Sequence, residues 1–290
     1  YIPKDGQFPV KGHCLNSQLM SVSDCQAIIK KAASKRLGEK YGVSWLPETG
    51  IKFQLHFTIL NDQVTLSLDT SGQGLHKRGY RAVGNDAPLH ETLAAGMIQL
   101  TRFRGREYFW DPFCGSGTIA IEAAMIATRR APGLGREFAG QNFACIPERA
   151  WTDAATEAQD LIIRDSKFEA WASDIDEDML DVTYENATRA GVEEYLNIFH
   201  ADARKIKREE RKGTVVCNPP YGERMMSMRD AENLYRNIGK CFAEMTPWQI
   251  YVLTSCEYFE RLYGRKADRV RKLYNGTIPS FLYQFFKPIK

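Results

Sequence analysis

Between positions 108 and 254 the chain alternates short apolar runs of β character with helical segments, and this rhythm limits the fold more than any other feature. Residues 108–110, 168–173, 196–199, 214–217 and 250–254 read as strands, and residues 118–128, 177–190 and 231–245 as helices between them. A strand that returns in the same direction needs a crossover of a dozen or more residues, so strands spaced by helices pair in parallel. The expected fold is therefore α/β with a doubly wound sheet. Residues 270–275 and 281–287 are expected to pair across 276–280 as an antiparallel edge hairpin. A helix over 88–103 precedes this block, with Pro88 in its first turn and Leu89, Leu93, Met97 and Leu100 on one side.

The first seventy or so residues differ in pattern. Residues 23–41 read as a helix that Ser23 caps, with Gln26 at the capping-box position. Runs at 51–60 and 64–68, separated by Asn61-Asp62-Gln63, read as a hairpin. This is a small α+β module, and with Tyr1 as its first residue it is expected to be the remainder of a larger one. Residues 75–86 form a basic, Gly-containing linker or functional loop, and 129–149 a long loop rich in Gly, Pro and aromatics. The expected division is a module over 1–74 and a second domain over 75–290.

Composition closes off several classes. The chain of 290 residues has no apolar run of the roughly 18–20 residues that a membrane span needs. Seven cysteines without a C-x-x-C pair read as reduced thiols of a cytoplasmic protein, and the five histidines lack metal-ligand spacing, so no metal is expected. A net charge of +3 does not by itself argue for nucleic acid. The basic residues do cluster: Lys30, Lys31, Lys35, Arg36 and Lys40; Arg204, Lys205, Lys207, Arg208, Arg211 and Lys212; and Arg261, Arg265, Lys266, Arg269, Arg271 and Lys272. Each cluster suits either a solvated face or phosphate contact.

Two motifs carry the chemistry. Asp111-Pro112-Phe113-Cys114-Gly115-Ser116-Gly117-Thr118 follows the first strand of the alternating block. Gly115 and Gly117 let the backbone approach a ligand, and the helix from Thr118 offers unpaired N–H groups to a carboxylate. Asp111 can accept from an amino group of the same ligand. A Walker A reading fails, because the Lys-Ser/Thr pair is absent. Asp174 and Ile175 end the second strand, where an acidic side chain can accept from ribose hydroxyls, and Asp176 is placed to cap the next helix. Asp202 and Ala203, after the third, can meet an adenine.

The second motif, Asn218-Pro219-Pro220-Tyr221, follows the fourth strand. An aromatic amino nitrogen is a poor nucleophile, since its lone pair is delocalised into the ring. Two acceptors facing its protons, the Asn218 side-chain oxygen and the Pro219 carbonyl, favour pyramidalisation and localise that pair. The prolines stiffen the turn, and Tyr221 offers a stacking face. Together the motifs point to methyl transfer from S-adenosylmethionine to an exocyclic amino group of a nucleobase.

These residues resemble the Rossmann-like methyltransferases of nucleic-acid amino groups. More narrowly, the chain is similar to the THUMP-containing 23S rRNA guanine-N2 methyltransferases. That likeness rests on residues 75–81 (LHKRGYR), 87–95 (APLHETLAA), 111–118, 131–134 (APGL) and 218–224. The resemblance implies a seven-strand sheet with a partial THUMP-like module before it, S-adenosylmethionine as donor and rRNA as substrate. It assigns the cofactor to Asp111, Pro112, Cys114, Gly115, Gly117, Thr118, Asp174, Ile175, Asp202 and Ala203, and catalysis to Asn218, Pro219, Pro220 and Tyr221. RNA contact is expected at Lys31, Lys35, Arg36, Arg78 and Arg81. The guanine and ribosomal assignments come from the resemblance alone. A tRNA guanine-N2 enzyme, a DNA adenine-N6 enzyme and a non-catalytic RNA-binding scaffold stay open as alternatives.

Overall fold

The structure, a computed structural model, describes residues 1–81, 89–207, 212–221 and 227–287. The expected helix start at Pro88, the 87–88 part of the 87–95 motif, Arg208 and Arg211 of the second basic cluster, and residues 222–224 lie outside them.

Two compact units emerge, one of Tyr1–Leu75 with Arg136–Thr156 and one of His76–Gly135 with Glu157–Lys290. Residues 136–156 thus pack with the N-terminal unit, although the linear reading groups them with the second domain. Arg136 is the tie: its guanidinium donates to the carbonyls of Ser71, Gln73 and Gly74. Phe143 adds a ring stacked 4.4 Å from Phe53.

The N-terminal unit is built on β1 (Val10–Leu15), α1 (Val22–Tyr41), β2 (Leu55–Leu60) and β3 (Gln63–Leu68) in one sheet of order β1-β2-β3. β1 and β2 run parallel through the α1 crossover, and β2 and β3 form the expected hairpin. Asn61 and Asp62 both take positive φ at its turn, the backbone sense that matches strand twist in a two-residue connection. Sequence reasoning missed β1, whose Gly12 and His13 dilute its β signal; the pairing with β2 makes it a strand. Ser21, not Ser23, caps α1, accepting from the Asp24 N–H, and Gln26 donates instead to the Val10 carbonyl.

The second unit holds α2 (Glu91–Gln99), β4 (Tyr108–Asp111), α3 (Thr118–Ala127), β5 (Ala170–Asp174), α5 (Glu177–Ala190), β6 (Leu196–His200), β7 (Gly213–Cys217), α6 (Met228–Ala243), β8 (Gln249–Thr254), α7 (Phe259–Tyr263), β9 (Arg269–Asn275) and β10 (Ile278–Phe285); α4 (Glu148–Asp160) leads into it. Its seven strands take the order β6-β5-β4-β7-β8-β10-β9, parallel except for β10, which is antiparallel to both neighbours. α2, α3 and α5 cover one face through residues such as Met97, Ile121 and Ala187, while α6 and α7 cover the other through Tyr235, Ile238, Phe242 and Phe259. All five residues of β7 are buried, as a strand covered on both faces requires. The order reverses between β4 and β7, so the carboxyl ends of those two strands open a crevice.

No helix among the described residues is long and apolar enough to cross a membrane. The seven cysteines are unpaired.

Candidate active site

The crevice is a cleft of about 900 Å³ whose wall includes Asp111, Gly115, Asp174, Asp202, Asn218 and Pro220. Four strand ends thus bring together residues up to a hundred positions apart. Pro112, Cys114, Thr118, Ile175 and Ala203 line it as well. Gly117, Pro219 and Tyr221 do not.

The loop after β4 is held from beneath. Gly115 and Gly117 have φ of +49° and +82°, in the left-handed region that favours glycine. A Cβ on Gly115 would meet nothing within 4 Å, so the backbone stays bare toward the ligand space, whereas one on Gly117 would lie 2.7 Å from Thr183 Cγ2. The second glycine therefore serves packing against α5 rather than ligand approach. From α5, Thr183 donates to the Gly115 carbonyl (2.7 Å) and Asn186 to the Ser116 carbonyl (3.0 Å). Both were missed in the sequence; the available signal was buried polar residues on the inward face of a helix. Cys114 is buried, and burial raises its thiol pKa, so it acts as a small wall residue.

The carboxylates differ in state. Asp111 is buried, and burial pushes its pKa well above the usual carboxylate range; the Phe113 N–H opposes this and nearby Asp174 reinforces it. Asp174 accepts from the Gly115 N–H at 2.9 Å through one oxygen and from the Asp176 N–H at 3.1 Å through the other, which couples two strand-end loops. Asp176 caps α5 by accepting from Asp178 N–H. Asp202 is clamped by Arg204 through two 2.8 Å hydrogen bonds, and this guanidinium is the main reason its pKa is lowered. Arg204, read in the sequence as one of a basic run, is in fact part of the cleft wall.

Asn218 supplies the contrast. Its Oδ1 is buried and has no hydrogen-bond partner among the described residues. An unsatisfied buried acceptor costs about 1–3 kcal/mol, so one that lines the cleft is a candidate acceptor for a ligand's donor. The turn behind it is braced by Tyr235, whose hydroxyl donates to the Pro220 carbonyl at 3.2 Å and lies 2.9 Å from Thr254 Oγ1. Sequence analysis placed Tyr235 on the 231–245 helix and gave it no role. Tyr221 packs half-buried beside the α6–α7 core, its hydroxyl 3.4 Å from Asn275 Nδ2.

Arg78 and Arg81, expected to contact RNA, are committed inside this unit. Arg78 lies 3.4 Å from Glu122, with side-chain exposures of 11% and 3%. Tyr80 donates to the same carboxylate at 3.2 Å. Arg81 pairs with buried Glu91 at 3.4 Å and donates to Thr118 Oγ1 at 2.5 Å and to the Leu89 carbonyl at 3.1 Å. Its positive charge therefore sits at the amino end of α3, where it adds to the helix dipole. Lys31, Lys35 and Arg36 are exposed on α1.

A family model described as RMKL-like, methyltransferase domain matches residues 78–284, and a THUMP domain model matches residues 1–69. The chain belongs to the RMKL-like methyltransferase family. Over its whole length it is 41% identical to a Bacillus subtilis protein named "Putative RNA methyltransferase YpsC", of which it covers 76%. It is 36% identical to the ribosomal RNA large subunit methyltransferase K/L of Psychromonas ingrahamii, a match over 77% of this chain that spans only 31% of that enzyme. Among solved structures, a Listeria monocytogenes protein titled "predicted N6-adenine-specific DNA methylase" superposes with a TM-score of 0.91 at 45% identity, over 99% of this chain and 75% of that one. SMU.472, described as "a putative methyltransferase complexed with SAH", gives 0.89 at 37% identity, over 100% of this chain and 78% of that one.

The residues present fit S-adenosylmethionine. The bare Gly115 backbone, the open amino end of α3, and acceptors at Asp111, Asp174 and Asp202 complement an amino acid joined to a nucleoside.

Proposed function

We propose that this protein methylates the exocyclic N2 amino group of a guanine in 23S rRNA, with S-adenosylmethionine as methyl donor. The buried, partnerless Oδ1 of Asn218 beside the cleft carries the amino-directed part of this reading. The guanine and ribosomal parts are supported by likeness to the K/L enzymes and by the THUMP match.

In this reading Asp111 accepts from the donor's ammonium, the first turn of α3 meets its carboxylate, Asp174 its ribose and Asp202 its adenine amino group, with Ile175 and Ala203 as walls. When bound, S-adenosylmethionine would supply an electrophilic sulfonium methyl to the amino nitrogen, the C–S bond breaking so that S-adenosylhomocysteine leaves. Asn218 Oδ1 and the Pro219 carbonyl accept the two amino protons and turn the nitrogen lone pair outward. The Pro220 carbonyl is engaged by Tyr235, which braces the turn. Tyr221 stacks on the base. The methylated nitrogen is strongly acidic and loses its proton to water, so no residue serves as a strong base. Rate enhancement comes from orientation and from preorganised dipoles. The exposed Lys31, Lys35 and Arg36 on α1 contact RNA.

Likeness to the Listeria protein, named as a predicted N6-adenine-specific DNA methylase, favours a second reading, methylation of adenine N6 in DNA, which the same acceptor pair suits. The test is methyl incorporation from labelled S-adenosylmethionine into separated unmodified 23S rRNA, 16S rRNA, tRNA and DNA, followed by nucleoside analysis. N2-methylguanosine in 23S rRNA alone is the expected result. N2-methylguanosine in tRNA or N6-methyladenine in DNA would overturn the substrate, and no transfer to any of the four would overturn the activity.

A further inference from the structure

A second cavity, of about 660 Å³, adjoins the cleft and shares Asp202, Arg204 and Asn237 with it. It runs between the loop that follows β6 and the outer side of α6. Four cations line it, Arg204, Lys205 and Lys207 from the loop and Lys240 from α6, against the acids Asp202 and Glu244.

The charges are unequally committed. Arg204 is spent on Asp202 through its two 2.8 Å hydrogen bonds, and Lys205 stands 3.9 Å from the same carboxylate. Asp202 is thereby neutralised. Lys207 and Lys240 are exposed and have no carboxylate partner within ion-pair distance among the described residues. Residues 208–211, Arg-Glu-Glu-Arg, contribute no net charge. The groove floor is apolar, with Ile206 buried and the Cys241 thiol 3.0 Å from the Ile206 carbonyl. A groove with cations on both rims, a low-dielectric floor and one end opening into a nucleotide-binding cleft suits a phosphodiester backbone.

We infer that this groove binds the phosphates of the RNA strand flanking the target nucleotide, with Lys207 and Lys240 as the contacting cations. The inference rests on the RNA reading above and deepens it: besides the α1 cations, the basic cluster beginning at Arg204 contacts the RNA, next to the target nucleotide. Lys240 joins it from α6, out of register with any basic run. Each phosphate neutralised on a single strand contributes about 0.7 to the slope of log affinity against log salt. Losing two contacts therefore lowers that slope by about 1.4.

The test compares the wild-type full chain with Lys207→Glu/Lys240→Glu, with the charge-neutral Lys207→Gln/Lys240→Gln, and with Lys266→Glu/Lys272→Glu from the third basic cluster. Binding of a fluorescein-labelled, mixed-sequence 20-nucleotide RNA is followed by anisotropy over a salt series, and S-adenosylhomocysteine binding by calorimetry. The expected result is RNA affinity at least tenfold weaker for the Glu pair, a reduced salt slope for both groove variants, and unchanged S-adenosylhomocysteine affinity. The third-cluster variant is expected to behave as wild type. Wild-type RNA binding by both groove variants would overturn the groove and leave the proposed function standing, as would a parallel loss of S-adenosylhomocysteine affinity. A wild-type chain that binds no RNA would overturn both. The Gln pair keeps the test valid if charge reversal impairs folding.

Discussion

The loop after β4 and the turn after β7 meet at one cleft but are finished to different degrees. Around the β4 loop, the Gly115 amide and the Gly115 and Ser116 carbonyls are already taken by Asp174, Thr183 and Asn186. Around the β7 turn, Tyr235 holds the Pro220 carbonyl, yet Asn218 Oδ1 is left buried and unpaired. One side is a rigid cradle whose hydrogen bonds close on the protein itself. The other leaves one buried acceptor unpaired beside the cleft, the group that the proposed function assigns to a substrate amino proton. A binding site gains from preorganised shape, while a reaction site keeps strong interactions for the reacting group.

The largest effect expected from this contrast is kinetic. Asn218→Ala lowers the methyl-transfer rate by about 10²–10³-fold, the usual loss for one preorganised polar group, with little change in cofactor affinity. Single-turnover transfer and S-adenosylhomocysteine calorimetry check both halves, and unchanged turnover would dissolve the distinction between the two loops.

On the cradle side the loss is one of stability. Gly117→Ala forces a side chain into φ +82° and against Thr183 Cγ2. A destabilisation of about 2–3 kcal/mol is expected, readable by chemical denaturation, together with weaker cofactor binding.

Asp111 tests whether binding function costs fold stability. Its folded pKa is raised by burial, so the stability present below its unfolded value near 3.8 is lost as pH rises toward the folded value. Asp111→Asn removes that loss. The variant is expected to melt above wild type at pH 7, with the gap shrinking toward pH 4, and to bind S-adenosylhomocysteine more weakly. A variant that melts below wild type at pH 7 would show the carboxylate to be stabilising.

The smallest change concerns Arg204. Its pair with Asp202 is partly solvent-screened, so Arg204→Ala costs under about 1 kcal/mol in thermal denaturation. It also returns the Asp202 pKa toward the ordinary range, which a carboxyl titration followed by NMR would register.

How much was legible depended on the range of the interaction involved. The β/α alternation, the hairpin of β2 with β3 and the helix over Glu177–Ala190 follow from local periodicity and turn chemistry, and the structure reproduces them. β1 was not legible, because its backbone is paired by β2 some forty-five residues later. Residues 136–149 fall within the 129–149 stretch that reads in the sequence as an irregular loop beside a strand end, yet they pack with the N-terminal unit. Their placement depends on Arg136 reaching three carbonyls more than sixty positions earlier. Arg78 and Arg81 sit in a basic stretch that suits RNA, and only burial against Glu122 and Glu91 shows that their charge is spent internally.

The sequence by itself determined the order of strands and helices and the residue types at each strand end, because periodicity, glycine and proline act within a few positions. The tertiary structure decided which of those residues share a cleft and which polar groups are left unpaired there. It also decided that the cations beside Asp202 border a groove opening from that cleft. Those outcomes depend on distance and burial in three dimensions, and strand ends sixty to a hundred residues apart come together only when the sheet closes.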